Sequence, residues 1–124
     1  MNFAHLAALA DQVVTSAQHR LPADVRTVAD MVPICYEPLP NDALQAEGLE
    51  PDTLGLFVGT EHGSEFSGES DPLPAQILLF LENIWDQTEG DESAYRDEVR
   101  LTYLHELGHY LGWDEDEIAR RGLE

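Results

Sequence analysis

Apolar side chains recur at three-and-four spacing near the start of the chain, at Phe3, Leu6, Ala7, Ala10, Val13, Val14 and Ala17. That period predicts an amphipathic helix over residues 3 to 17, with Asn2 as its N-cap. Leu21-Pro22-Ala23-Asp24 restarts the chain and puts Pro22 in the first turn of a short second helix that ends near Asp30. Met31 to Tyr36 is apolar and rich in strand formers. Pro33 has no N–H for a ladder, so this strand lies at an edge or begins at Ile34. Pro38, Pro40, Asn41-Asp42 and Gly48 then punctuate a loop with room for one helical turn at Ala43 to Ala46. Leu54 to Gly59 reads as a second strand. Thr60 to Pro74 is dense in Gly, Ser, Asp and Glu without any period, and reads as an exposed loop.

Gln76 to Trp85 is an apolar run that periodicity alone leaves open between buried helix and strand. Its length and the flanking Pro72 and Pro74 favour strand. Helical spacing returns at Tyr95 and continues through Val99, Thr102, Leu104 and Leu111. Gly90-Asp91-Glu92-Ser93 opens this helix, and the acids suit the positive end of its dipole. It runs for about twenty residues, long for so small a chain. Gly108 inside it costs about 1 kcal/mol relative to alanine, which a close approach by a strand or a metal site would explain. Glu115 to Arg121 forms a last short helix. The class is α+β: N-terminal helices, a small sheet of about three strands, then the long helix packed across it, all in one domain spanning 1–124.

On that long helix lies His105-Glu106-Leu107-Gly108-His109. Histidines four residues apart project from one helix face, so two imidazole nitrogens can converge on one metal. Zinc suits them, because it takes neutral imidazole readily and keeps one position open for water when it does chemistry. Glu106 would then lie beside that water as general base. HExxH alone arises by chance in roughly one chain in fifty of this length and composition, but Gly112 and Glu115 extend it to HExxHxxGxxE and lower that rate to roughly a few in ten thousand. Gly112 can take positive φ, end the helix and let a residue near 115 return toward the metal.

With these residues the chain resembles the small bacterial proteins of minimal zincin-like fold, zinc metallopeptidases that carry HExxHxxGxxD near the C-terminus, followed by an acidic turn and a short helix. The likeness also takes in Leu54 to Gly59 and Pro74 to Phe80, about the last 95 residues. It implies that His105 and His109 are zinc ligands, that Glu106 is the catalytic acid/base, and that Glu115 takes the third-ligand position. The family has aspartate there, and Asp114 and Asp116 flank the glutamate as alternatives. In larger zincins an edge strand pairs antiparallel with extended substrate. Carried over, the segment 77 to 84, with Ile77, Leu79 and Leu81, would line the cleft; the alternative is an ordinary core strand.

Six basic against twenty-five acidic residues give a formal net charge of −19. Such a surface repels nucleic acid and anionic membrane, and steers a basic or neutral peptide or protein substrate better than an acidic one. Cys35 is the only cysteine, which excludes an internal disulfide and a thiolate zinc site; a lone buried thiol is expected there. The N-terminus lacks a basic n-region and no apolar run reaches membrane length, so a cytoplasmic location is the expectation. His5 and His19 read as surface residues and His62 as a solvated loop histidine that could visit a metal site. Tyr110 is open between core and transition-state donor, and Trp113 caps the core after the turn. The metzincin pattern fails, since position 115 is not histidine and Met1 and Met31 are the only methionines. The expected function is zinc-dependent peptide hydrolysis; the alternative is an inactive metal-binding or protein-interaction module on the same scaffold.

Overall fold

The computed structural model describes residues 1–59 and 75–121. The segment expected as a loop from Thr60 to Pro74, with His62, lies outside the described residues. The elements in order are α1 (Phe3–His19), α2 (Ala23–Ala29), β1 (Ile34–Glu37), α3 (Asp42–Ala46), β2 (Gly55–Val58), β3 (Gln76–Phe80), α4 (Leu81–Gln87), α5 (Glu92–Tyr110) and α6 (Glu115–Arg120). The α+β class and the long helix are as the sequence predicts.

Local chemistry sets most of these boundaries. Asn2, Asn41, Asp91 and Asp114 each sit in extended backbone and accept a main-chain N–H from three residues on, which opens α1, α3, α5 and α6. Pro22 stands just ahead of α2 with ψ 150, one position earlier than expected. Pro33 stays outside β1, which begins at Ile34, and its carbonyl accepts from Ile77 N at 3.0 Å.

The sheet order is β1-β3-β2, with β3 parallel to β1 and antiparallel to β2. This corrects two expectations about the run 76–85. The strand ends at Phe80, and Leu81 to Gln87 is helix. Leu79, Phe80 and Leu81 are buried in succession, so the alternation of a strand breaks there, and Leu81 with Ile84 then forms a buried helical pair. The strand is also central, with its hydrogen-bonding groups taken up on both sides. Ile77, Leu79 and Leu81 each show 0% exposure and belong to the core, so none of them lines a cleft.

Burial on both sides of α1 and α5 holds the long helix in place. Leu6, Leu9, Ala10 and Val14 of α1 meet Tyr95, Val99, Tyr103 and Leu107 of α5 in one apolar cluster that also includes Ile77, Leu79, Leu81 and Ile84. Two polar tips fix the register between the helices. Tyr95 donates its hydroxyl to Leu6 O at 2.9 Å, and Tyr103 accepts from Gln18 Nε2 at 3.1 Å. Trp85 packs edge-on against Tyr95 with ring centroids 5.5 Å apart. Among the described residues no helix is long and apolar enough to cross a membrane.

Burial raises the hydroxyl pKa of both Tyr95 and Tyr103 above the usual tyrosine value. The folded chain therefore keeps phenol protons that the unfolded chain releases near pH 10, so the stability they confer is complete below about pH 10 and lost as pH rises further. Tyr95→Phe is expected to cost about 0.5–1.5 kcal/mol at neutral pH through loss of the bond to Leu6, and to make the alkaline fall shallower. Urea midpoints of parent and variant at neutral pH and above about pH 10 check both effects.

Candidate metal centre

The last two turns of α5 carry the predicted motif, and the burial of the opposite face decides where it points. Tyr103 and Leu107 face the core, leaving His105, Glu106 and His109 half-buried on the side toward β2. The Nε2 atoms of His105 and His109 lie 3.0 Å apart, with the ring planes at 84° and the centroids at 4.6 Å. A carboxylate oxygen of Glu106 completes a set of three ligand-type atoms that all fall within 4.8 Å of one another.

This donor set fits a metal. Two zinc–nitrogen bonds of about 2.0–2.1 Å at a tetrahedral angle place their nitrogens about 3.3 Å apart, close to what the two imidazoles already offer. Ligation of one ion through both Nε2 atoms would put the ring protons on Nδ1, the tautomer in which neutral histidine ligates through Nε2. His105 and His109 are thus the residues able to hold the ion, and Glu106 stands alongside them.

Immediately beyond the motif the chain reverses in a Schellman turn. Gly112 adopts φ +77, its N–H bonds His109 O at 3.0 Å, and Trp113 N–H bonds Gly108 O at 2.9 Å. Asp114 caps α6 through Glu117 N at 2.8 Å, which directs one carboxylate oxygen to its own helix, and Asp116 is exposed on α6. The backbone of Glu115 opens α6 straight after this turn, while its side chain lies outside the described residues. Arg121 stacks over Trp113, 4.1 Å from the ring centroid, and bonds Glu117 Oε2 at 3.1 Å.

On the other side of the motif the strand that matters is β2. Its Gly55 and Phe57 face α5. Phe57 packs edge-on with Tyr110 at 5.6 Å, and Tyr110, 6% exposed, is a core residue. A Cβ on Gly55 would meet Thr102 Cγ2 at 2.6 Å and Glu106 Cγ at 3.3 Å, so only glycine lets the strand come this close to the helix. From that approach a cleft of about 720 Å³ opens, bounded by Leu54 and Gly55 at the start of the strand and by Glu98, Thr102, His105 and Glu106 on the helix. The size is that of a ligand site. Leu54 and Gly55 are held from behind, because Asn83 of α4 donates through Nδ2 to both Pro51 O (2.8 Å) and Thr53 O (2.9 Å).

The sequence reading missed the role of Leu54, Gly55, Glu98 and Thr102. Its one available signal was a glycine opening an otherwise bulky strand. The remaining candidates fall away from the site: His5 and His19 are exposed, His19 beside Arg26. Cys35 is half-buried, less than expected, with its thiol on Gln76 Oε1 at 3.1 Å.

Residues 29–123 match the family model described as zincin-like metallopeptidase. No curated protein matches the chain.

Protein purified without chelator or a metal-binding tag is expected to hold about one zinc per chain, and the His105→Ala/His109→Ala double variant none, as read by elemental analysis. Gly112→Ala forces a side chain into the left-handed region and is expected to lower stability by about 1–2 kcal/mol, seen as a reduced urea midpoint at unchanged slope.

Proposed function

This chain belongs to the zincin-like metallopeptidase family, and from that membership we propose that it is a zinc-dependent peptidase working in the cleft between α5 and β2. One observation carries the reading: the two imidazole Nε2 atoms converge to 3.0 Å with the Glu106 carboxylate beside them, at the wall of a cleft large enough for a peptide segment. His105 and His109 are the residues that hold zinc, and the extended motif assigns the third position to Glu115, with Asp114 and Asp116 as its neighbours. When bound, zinc supplies a Lewis acid that brings the pKa of a water toward about 7 and polarises a carbonyl.

The chain's own residues do the rest. Glu106 accepts the proton of the attacking water as its oxygen bonds to the peptide carbonyl carbon. The same carboxylic acid then gives that proton to the departing nitrogen as the C–N bond breaks, so the products are a carboxylate and an amine. Substrate is aligned by strand addition, transferred from the buried β3 to β2. Among the described residues β2 pairs only with β3, so its other edge has no strand partner there and is the edge to which an extended peptide would add. Gly55 keeps that backbone close to Glu106.

Glu106→Gln keeps size and loses the base. It is expected to retain zinc at the parent's stoichiometry and to lose hydrolysis by about 100- to 10,000-fold. A Glu106→Gln protein that cleaves as fast as the parent sinks the mechanism. A zinc-loaded parent that cleaves no member of a broad peptide panel leaves the scaffold as a metal-binding or protein-interaction module.

A further inference from the structure

The cleft does not end at Glu106. It continues along α5 away from the histidine pair, and Glu98 stands at its far end. Glu98, Thr102, His105 and His109 follow one another at helical spacing and share a face. The seven residues from His105 back to Glu98 correspond to about 10 Å of helix axis. Thr102, only 8% exposed, has its methyl group against Gly55 and donates its hydroxyl to Glu98 Oε2 at 3.3 Å. The carboxylate is therefore held toward the cleft by a buried neighbour. Leu54 and Leu101 supply apolar walls on either side. Arg100 also borders the cleft, and among the described residues no ion pair joins it or any other cation to Glu98.

We propose that this far end is a specificity subsite for a lysine or arginine side chain of the substrate, one residue from the bond being cut, with Glu98 as the residue that reads its charge. The assignment rests on the peptidase reading of the same cleft. A long basic side chain has the two-part character that the lining demands. Its aliphatic stem lies along Leu54 and Leu101, and its cationic head reaches the carboxylate some two turns of helix from the histidines. A half-buried charge-assisted bond of this kind is stronger than a neutral one. An acidic side chain in the same place would face both Glu98 and Glu106. The net charge of −19 acts in the same direction at longer range, by concentrating cationic peptides near the surface.

The test separates this subsite from the catalysis. Zinc-loaded Glu106→Gln protein is titrated calorimetrically with a short blocked peptide containing one lysine and with its norleucine counterpart, which keeps the stem and removes the charge. The lysine peptide is expected to bind about 10- to 100-fold more tightly. Adding Glu98→Gln, nearly isosteric and checked for unchanged zinc content, is expected to abolish that difference while leaving norleucine binding as it was. In the otherwise unaltered enzyme, Glu98→Gln lowers kcat/KM for the lysine peptide by a similar factor and leaves that for the norleucine peptide unchanged. Charge discrimination in binding with no cleavage by the parent supports the subsite and removes the peptidase reading. Cleavage with no preference for lysine or arginine keeps the peptidase and overturns the subsite. A preference for glutamate that disappears in Arg100→Gln overturns it as well, since Arg100 would then be the reading residue.

Discussion

The lock between α1 and α5 is the constraint on which the site depends. A helix of 19 residues in a chain this small has to bury one face completely, and it does so through Tyr95, Val99, Tyr103 and Leu107, none more than 1% exposed. Apolar burial alone is non-directional and would tolerate sliding along the helix axis. The two tyrosine hydroxyls remove that freedom. Each reaches one partner on α1, Leu6 O or Gln18 Nε2, and a slip of one helical turn, about 5.4 Å, would break both bonds. Once the buried face is fixed in rotation and translation, the opposite face is fixed too. His105, Glu106 and His109 need no loop to position them.

A second constraint acts across the cleft. The backbone of β2 comes against Thr102 and Glu106 because position 55 has no side chain. The same lack of bulk gives so short a chain a usable cleft. The wall on that side is main chain, with hydrogen-bonding groups in place of apolar bulk, while Leu54 and Leu101 supply the apolar component. The two proposed modes of recognition, by backbone and by one charged side chain, fit side by side in that narrow space for this reason.

Much of this was legible in the residues. Three-and-four spacing marked α1 and α5, Asn2 marked the start of the first and the acids after Gly90 that of the second, and the HExxHxxGxxE string marked both the site and the turn that follows it. What escaped was non-local. The length of the apolar run from Gln76 and the prolines before it point to a strand, but not to one that lies between two others, because sheet order is settled by partners far away in sequence. The helix at Leu81 hid inside an apolar run, since consecutive buried residues carry no period. Gly55 was one residue of a strand in the sequence, and its use becomes evident only with Thr102 opposite it. Glu98 carried no signal in the sequence for the same reason. The spacing that points to Glu115 was legible, and the backbone there does open α6 as the turn requires.

Asn83 gives one of these features a mechanical meaning. Its single amide nitrogen clasps two carbonyls of the segment ahead of β2. The gauge of the cleft is therefore set from outside, by a residue of α4 that contacts neither the histidines nor the space a peptide would fill. The seating of α4 on the sheet and the entry of the chain into the cleft wall at Leu54 and Gly55 are thus tied through one amide, as a bracket ties a shelf to the wall behind it.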